Sequence, residues 1–278
     1  MLTKEKLKEI KQLQSYVEDH DEIQLKLNWG MLERGKEDSF YFTHEENGRI
    51  IGFIGIYIFG NTVELCGMVH PNYRRQGIFT NLHQKAIKFS KDKGFTKILL
   101  NAPFGCESAQ GFLKNIPAVY VKTEYQMKWK RKSLEFSEDV VLRSASGESD
   151  FETQVDLDVK CFGFSKEGSI RYILDIRSKS GFSFFMIHYK DETVGKINLY
   201  QKEKKTTIIG FAIDPKWQRK GIGRKALTNM ILQESAKGNE IFLEVEADNE
   251  AALNLYKITG FETYQAQDYY DFLTNSIK

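Results

Sequence analysis

The chain repeats itself at an offset of 144 residues, and this internal similarity constrains its fold more than any other feature. Residues 67–78 fall opposite residues 211–222, and Pro, Arg, Gly and Ile coincide in the two stretches without a gap. The same offset pairs residues 93–94 with 237–238, a Lys-Gly step before an apolar, strand-like run in each case. Self-similarity at a fixed offset indicates a repeated structural unit. We therefore predict one fold that occurs twice.

A boundary between the two copies is expected in the polar stretch that follows the first. The chain has 278 residues, and since domains usually hold roughly 100–200 residues, about two domains are expected. A basic run at 128–133 leads into a polar segment that ends near Asp139, as an exposed linker does. Because this basic run is short and isolated, we interpret it as a solvated strand end and not as a nucleic-acid patch. The predicted domains are residues 1–132 and 139–278.

The second copy predicts a mixed sheet. A strand at 140–143 and helices at 151–161 and 166–178 precede an antiparallel meander of three strands, at 184–188, 193–200 and 206–213. The next helix has an apolar stripe, and after it come a strand at 241–246, a helix at 250–259 and a last strand beyond residue 261. The members of the stripe are Ile222, Ala226, Met230 and Leu232 or Gln233. A meander that runs into β-α-β-α-β is an α/β fold.

The first copy predicts the same order without its first strand. Strands are expected at 39–43, 50–57, 62–69 and 97–101. The helix before the last of them presents an apolar face that consists of Ile78, Leu82, Ala86 and Phe89. In place of the missing strand, the chain starts in a charged helix. The predicted fold class is therefore α/β, with two tandem mixed-sheet lobes, each an antiparallel meander followed by β-α-β-α-β.

Charge and hydropathy argue against nucleic-acid and membrane partners. Forty Lys and Arg against thirty-eight Asp and Glu leave a formal charge of +2, with 28% charged and 41% hydrophobic residues, which is ordinary for a soluble globular protein. Binding to phosphate backbones or anionic lipid needs clustered positive charge. The longest apolar run, 50–59, is interrupted by glycines and is shorter than the roughly 20 residues of a spanning helix.

The N-terminus and the cysteines predict a cytoplasmic protein without a metal site. The first residues alternate charges and lack the apolar region of a signal peptide. Cys66, Cys106 and Cys161 are odd in number, far apart and without histidines at metal-ligand spacing. We therefore expect neither a disulfide framework nor a zinc site.

A glycine-rich loop between a predicted strand and a predicted helix is the first candidate for chemistry. Glycines let backbone amides converge on an anion, and the N-terminus of the helix adds its positive dipole end. The pattern thus favours a phosphate-binding loop, although a tight surface turn would use glycines as well. The loop residues are Gln218, Arg219, Lys220, Gly221, Ile222, Gly223 and Arg224.

The same loop also fits the dinucleotide fingerprint G-x-G-x-x-A, with Glu244 about 20 residues further on. In that fingerprint, however, the strand runs nearly straight into the first glycine. Here residues 214–220 intervene, and the preceding strands form a meander instead of opening a βαβ unit. An oxidoreductase is therefore the more distant alternative.

The second half resembles the GCN5-related N-acetyltransferases (the GNAT family). In that family an apolar-Asp-Pro step and a Q/R-x-x-G-x-G/A loop follow a strand, as residues 213–215 and 218–223 do here. The family's next signature is matched by Leu243-Glu244-Val245, Asn249, Ala251-Ala252, Leu255-Tyr256 and Gly260-Phe261. The resemblance covers the chain from Val140 to the end and is weaker in the first half. It identifies the chain as a tandem member of the family.

The resemblance implies acetyl-CoA as the cosubstrate and gives roles to individual residues. Backbone groups of Phe211, Ala212 and Ile213 would pair with the pantetheine arm as an added strand pairs with a sheet edge, and the glycine loop would hold the pyrophosphate. Asn249 would contact the cofactor, and it also suits a helix cap. Glu244 stands where a base acts through water, or is a solvated strand carboxylate. Tyr256 stands where the family often has its general acid, or is a packing aromatic.

The first half departs from the family pattern. Phe79 replaces the second small residue of the loop, where it would crowd the phosphates, and the position of Tyr256 offers only Phe112 or Leu113, neither of which donates a proton. Cys106, near this site, is expected to be a small buried residue. Residues 74–77 could still hold an anion. We therefore predict a degenerate N-terminal lobe that shapes the substrate groove or stiffens the other lobe, and whether it retains CoA binding stays open. The pair Tyr269-Tyr270 is similar to paired tyrosines that face the acceptor in N-terminal acetyltransferases.

The sequence as a whole predicts an acetyl-CoA-dependent N-acetyltransferase with its active site in the C-terminal lobe. The acceptor would be an amine on a small molecule or a protein, and the chain would be a monomer or a homodimer. The competing interpretation is a non-catalytic acyl-CoA sensor, which needs the loop but neither Glu244 nor Tyr256.

Overall fold

The computed structural model describes residues 3–35 and 39–273, which form two compact units. The N-terminal unit comprises the described residues up to Glu124 and those from Gln265 onward, and the C-terminal unit comprises Tyr125–Tyr264. No helix in the described part of the chain is long and apolar enough to cross a membrane. The three cysteines are free thiols, and no group of three His, Cys, Asp or Glu residues within 3–35 and 39–273 is arranged to hold a metal ion.

The N-terminal unit has a mixed sheet with a helical layer on each face. Its strands follow the order β1-β2-β3-β4-β11, antiparallel except for β3 beside β4. Helix α3 packs Ile78, Leu82 and Ala86 into the core on one face, and α1 packs Ile10, Leu13 and Val17 on the other. The elements are α1 (Lys4–Asp21), α2 (Trp29–Arg34), β1 (Ser39–Glu46), β2 (Arg49–Phe59), β3 (Thr62–Val69), α3 (Ile78–Asp92), β4 (Lys97–Pro103), α4 (Glu107–Leu113), and parts of β5 (Ala118–Trp129) and β11 (Phe261–Phe272).

The C-terminal unit repeats this plan and adds the strand that the first copy lacks. Its strands follow the order β5-β10-β9-β8-β7-β6, with β9 and β10 parallel and the meander β6 to β9 antiparallel. The elements are β6 (Val140–Ser144), α5 (Gly147–Phe162), α6 (Lys166–Arg177), β7 (Phe182–Tyr189), β8 (Glu192–Lys202), β9 (Lys205–Ile213), α7 (Ile222–Ala236), β10 (Glu240–Glu246) and α8 (Glu250–Thr259). The predicted fold class, with two tandem α/β lobes, is confirmed.

Strands β5 and β11 each belong to both units. Met127 of β5 is fully buried in the core of the C-terminal unit, although β5 begins in the N-terminal unit. Phe261 of β11 lies in that same core, whereas residues 267–271 of β11 pair with β4 of the N-terminal unit. The compact units therefore differ from the predicted ranges 1–132 and 139–278. The periodicity of a strand predicts its existence and its buried face, but not which sheet it joins.

One detail of the predicted core is wrong. The buried face of α7 continues through Ile231 and Glu234, while Leu232 is half-buried and Gln233 is exposed. A carboxylate is buried at this position because several groups bind it. Thr206 Oγ1 donates to Glu234 at 2.8 Å and Gln201 Nε2 at 2.7 Å.

Candidate active site

The two parallel strands of the C-terminal unit separate before they end. Strands β9 and β10 pair only over Lys205–Ile208 and Glu240–Leu243, although β9 continues to Ile213 and β10 to Glu246. Ala212 and Ile213 still pair with β8 on their other side. The backbone on the side towards β10 is thus open to an extended ligand, which would add to the sheet as a further strand.

A β-bulge changes the direction of β9 at this opening. Lys196 pairs with Ala212 and Asn198 with Ile209, so that Ile197 alone faces both Gly210 and Phe211. Gly210 has a φ of +54°, a conformation that glycine adopts without strain. Because a bulge leaves one residue of the ladder unpaired, the backbone around Gly210 and Phe211 can be aimed at a ligand.

The glycine loop has the geometry of an anion site. Gln218 Nε2 donates to the carbonyl of Ile213 at 2.8 Å, which ties the loop to the end of β9. Arg219 and Gly221 have positive φ values of +59° and +77°, and α7 begins after Gly221 without a side-chain cap. The amides of Ile222, Gly223 and Arg224 are the first N–H groups of this helix, which have no intrahelical carbonyl to bind. Free amides and a helix dipole together favour a phosphate.

Positive charge surrounds this loop. Arg219, Lys220 and Arg224 are all exposed, and Lys220 Nζ lies 4.4 Å from the ring centroid of Trp217. An aromatic face holds an ammonium group by its quadrupole. The loop therefore offers backbone donors and exposed cationic side chains at the same place.

Glu244 is an exposed carboxylate on β10, just past the point where β9 and β10 separate. Gln126 Nε2 of β5 donates to its Oε1 at 3.0 Å. Gln126 is itself buried. It therefore orients the Glu244 carboxylate from the protein side, while the carboxylate stays exposed to solvent. This position suits a base that takes a proton through water.

Tyr256 is buried in the core of the C-terminal unit, with its ring 5.9 Å from that of Phe261 in an edge-to-face arrangement. Burial raises the pKa of Tyr256 to about 12. The phenol therefore keeps its proton at every physiological pH. Asn249 caps α8, because its Oδ1 accepts from the backbone N–H of Ala252 at 3.1 Å.

The N-terminal unit has the same loop but lacks counterparts of the candidate base and the candidate acid. Arg75 and Gly77 adopt φ values of +64° and +80°, close to those of Arg219 and Gly221. Strand β3, however, pairs with β2 without any shift of register, and so it has no bulge. Helix α4 begins at Glu107 and helix α8 at Glu250. When these first residues are aligned, Leu113 occupies the position of Tyr256.

The register of the parallel strands also places Asn101 at the position of Glu244. Leu65 pairs with Leu100 in the N-terminal unit as Ile208 pairs with Leu243 in the C-terminal unit, and the next residues are Asn101 and Glu244. An amide cannot accept a proton as a carboxylate does. The N-terminal unit thus has neither the candidate base nor the candidate acid.

The aromatic residue of the loop region stands on the helix in the N-terminal unit, as Phe79, and on the strand in the C-terminal unit. A Cβ atom on Gly67 would lie 2.9 Å from the Phe79 ring, so that this ring covers Gly67 on β3. At the corresponding positions of the C-terminal unit the aromatic residue, Phe211, is on the strand and the glycine, Gly223, is on the helix. The Phe79 ring points to β3 and to Phe112, 4.8 Å away between centroids.

Comparison with known proteins decides the family. The sequence profile of the Acetyltransferase (GNAT) family matches residues 4–114 and 151–261, most of the chain. The chain belongs to this family. It is 44% identical over 52 residues to the N-alpha-acetyltransferase RimI of Mycobacterium tuberculosis, which covers 19% of this chain and 32% of the relative. It is 39% identical over 66 residues to the ribosomal protein bS18-alanine N-acetyltransferase of Escherichia coli, covering 23% and 45%. The match spans less than half the length of each relative.

Solved structures show that the tandem arrangement is a known form of the GNAT fold. A GCN5-related N-acetyltransferase from Sphaerobacter thermophilus superimposes with a TM-score of 0.77 at 16% identity, over 95% of this chain and 91% of that one. A tandem GNAT protein from the clavulanic acid biosynthesis pathway gives 0.70 at 12% identity, over 96% and 94%. At these identities the likeness concerns the fold alone.

The structure of this GNAT chain gives Tyr269 and Tyr270 hydrogen-bond partners on other segments of the chain. Both lie in the N-terminal unit. Tyr269 is 1% exposed and accepts from Lys26 Nζ at 2.9 Å, and Tyr270 accepts from Gln110 Nε2 at 2.9 Å. Their expected role towards the acceptor stays a prediction.

Proposed function

We propose that this GNAT chain is an acetyl-CoA-dependent N-acetyltransferase with its active site in the C-terminal unit. The observation that carries the proposal is the strand-loop-helix segment from β9 to α7. Its bulge and open edge offer backbone donors at one end, and the glycine-capped helix offers free amides at the other. A long ligand with an amide-bearing arm and a phosphate end matches both.

The residues present fit acetyl-CoA. Phe211, Ala212 and Ile213 would pair through their backbone with the pantetheine arm, because this edge of β9 has lost β10 as a partner. The loop residues would hold the pyrophosphate by their amides, with added charge from the side chains. These are Gln218, Arg219, Lys220, Gly221, Ile222, Gly223 and Arg224. Asn249 would contact the cosubstrate with its Nδ2, since only its Oδ1 is needed for the cap.

Acetyl transfer forms a C–N bond and breaks a C–S bond. The amine must first lose a proton, which Glu244 would accept through a water molecule while Gln126 holds the carboxylate. Backbone N–H groups at the bulge would stabilise the oxyanion on the attacked carbonyl. The departing thiolate would lie near the Tyr256 hydroxyl.

The raised pKa of Tyr256 defines how this residue would act. A pKa of about 12 keeps the hydroxyl protonated, as a donor must be. An ordinary thiol has a pKa of about 8.5, so that the buried phenol is the weaker acid. We therefore expect Tyr256 to stabilise the leaving sulfur mainly by donating a hydrogen bond to it, which is stronger when the acceptor is charged.

The test of the function is a search for an acceptor with the full chain. Small amines, aminoglycosides, peptides with free N-termini and peptides with lysine are incubated with acetyl-CoA, and the released thiol is measured. We expect CoA to be released faster with at least one amine than by hydrolysis without an amine. Mass spectrometry should then detect the acetylated amine. Tight acetyl-CoA binding with no turnover on any amine class would instead support the acyl-CoA sensor.

Tyr256→Phe is expected to lower turnover with the best acceptor by about 10- to 100-fold, the value of one hydrogen bond to a charged group. The affinity for acetyl-CoA should stay the same, because the ring and its packing remain. Steady-state kinetics and calorimetric titration separate the two effects. Tyr200→Phe, on β8 of the same unit, serves as the control and should leave both unchanged. Equal turnover in wild type and Tyr256→Phe would make Tyr256 a packing residue.

A further inference from the structure

The N-terminal unit contains a cavity of about 870 Å³. It lies where β3 and β4 separate, beyond their last pair at Leu65 and Leu100. This volume suits a drug-sized molecule. Most of the wall is apolar or aromatic, with contributions from Val17, Ile23, Leu25, Phe79, Phe112 and Ile116.

Asn101 lines this cavity, and none of the described residues hydrogen-bonds to its side chain. The residue is 8% exposed, and neither Nδ2 nor Oδ1 has a hydrogen bond to any residue within 3–35 and 39–273. A buried amide in this state is destabilising until a donor and an acceptor reach it together. A carboxamide supplies both, whereas a carboxylate only accepts and an ammonium only donates.

The charges around the cavity cancel. Its charged lining residues are two basic ones, Arg74 and Arg75, and two acidic ones, Asp21 and Glu107. Arg74 is already held by Asp21 through two hydrogen bonds, of 3.0 and 2.7 Å. Burial also lowers the pKa of His83 to about 4, so that this lining residue is neutral at physiological pH.

The loop of the C-terminal unit differs in this respect. Arg219, Lys220 and Arg224 there correspond to Arg75, Gln76 and Thr80 in the N-terminal unit. One exposed cation thus stands where the other unit has three. A pyrophosphate, which needs several positive charges or donors, is therefore the poorer match for this cavity.

We propose that the cavity of the N-terminal unit binds a neutral, largely apolar molecule that carries a carboxamide. Asn101 recognises the carboxamide through a donor and an acceptor at once. The apolar wall takes the rest of the ligand. This site has no counterpart of Glu244 or Tyr256, and it binds its ligand without transforming it.

Benzamide is a probe of this chemistry, because it joins an aromatic ring to a carboxamide. The full chain is labelled with ¹⁵N-asparagine, and the side-chain amide signal of Asn101 is assigned by its loss in Asn101→Leu. We expect benzamide to move this signal and to saturate with a dissociation constant of about 1 mM, as befits so small a ligand. Benzoate and benzylamine, which keep the ring but not the amide, should bind at least about fivefold more weakly.

Calorimetric titration of two variants then tests the contact itself. Asn101→Leu keeps the branched shape of the side chain and removes both unpaired polar atoms, so it should fold and should weaken benzamide binding about tenfold. Asn115→Ala is the matched control, because Asn115 lines the same cavity but already donates to the Gly111 carbonyl at 2.6 Å. Its affinity for benzamide should equal that of wild type.

Three results would overturn the proposal. One is an Asn101 signal that stays in place at 10-fold the expected dissociation constant, and another is equal affinity in Asn101→Leu and wild type. The third is coenzyme A that moves the Asn101 signal at micromolar concentration, which would make this a second nucleotide-thioester site. If Asn101→Leu does not melt cooperatively, Asn101→Gln supplies the assignment and the wild-type titration decides alone.

Discussion

Gly221→Glu is expected to abolish acetyl transfer, whereas Gly77→Glu should leave most of it intact. At Gly221 the new carboxylate would stand where phosphate oxygens approach the free amides of α7. Two like charges about 4 Å apart repel by about 4 kcal/mol at an effective dielectric constant of about 20. This repulsion alone lowers affinity roughly a thousandfold, and the side chain adds a steric obstacle. Turnover should therefore fall by more than 10³-fold.

The two glycines form a matched pair. Their φ values are +77° and +80°, and an added Cβ atom would meet nothing within 4 Å at either position. A glutamate thus costs the same backbone strain in both units, roughly 1–2 kcal/mol. Thermal melts should show similar losses of stability, so that any difference in activity reports on the ligand. Loss of turnover in Gly77→Glu, with near-normal turnover in Gly221→Glu, would move the active site to the N-terminal unit.

Local chemistry in the sequence was sufficient for the elements of the fold. Strand β3 and helix α8 begin and end where the pattern predicts them, because alternation and an Asn cap mark their limits. The glycine loop could be predicted for a similar reason. Gly221 is required where φ is positive just before a helix, and an equal requirement at Gly77 made the repeat visible.

The sequence repeat could not be aligned residue by residue, because each unit has one extra residue at a different place. Strand β9 has nine residues and β3 has eight, and the extra residue is the bulge at Gly210. The turn before β4 is longer by one residue than the turn before β10. This second difference cancels the first, so that β4 and β10 are again aligned. These two shifts made the counterpart of Tyr256 ambiguous by one position. The strand pairing identifies Asn101 as the counterpart of Glu244, and the first residues of α4 and α8 identify Leu113 as that of Tyr256.

Long-range pairing could not be predicted at all. Gln126, which holds Glu244, is separated from it by 118 residues in the chain and lies on a strand that starts in the other unit. Nothing in the pattern of β5 or β11 states which sheet each half joins. The same pattern would suit a strand that ends its own lobe.

Cutting the chain at the predicted boundary is therefore expected to unfold both halves. Fragment 139–278 lacks Met127, which is fully buried in the core of the C-terminal unit, and Trp129, whose Nε1 donates to the Thr259 carbonyl at 3.0 Å. Removing one large core side chain costs about 2–5 kcal/mol, and a domain is stable by only about 5–15 kcal/mol. The lost strand also leaves β10 with β9 as a neighbour on one side and without β5 on the other.

Fragment 1–132 is expected to unfold for the corresponding reason. It lacks Tyr269 and Phe272 of β11, which are buried in the N-terminal unit. The control is fragment 118–264, which keeps β5 with every other element of the C-terminal unit and should melt cooperatively. Circular dichroism and thermal melts of the three fragments, expressed separately, measure this. A cooperative melt of 139–278 on its own would show that the lobes are consecutive domains, as the sequence repeat suggests, and that β5 is dispensable to the C-terminal core.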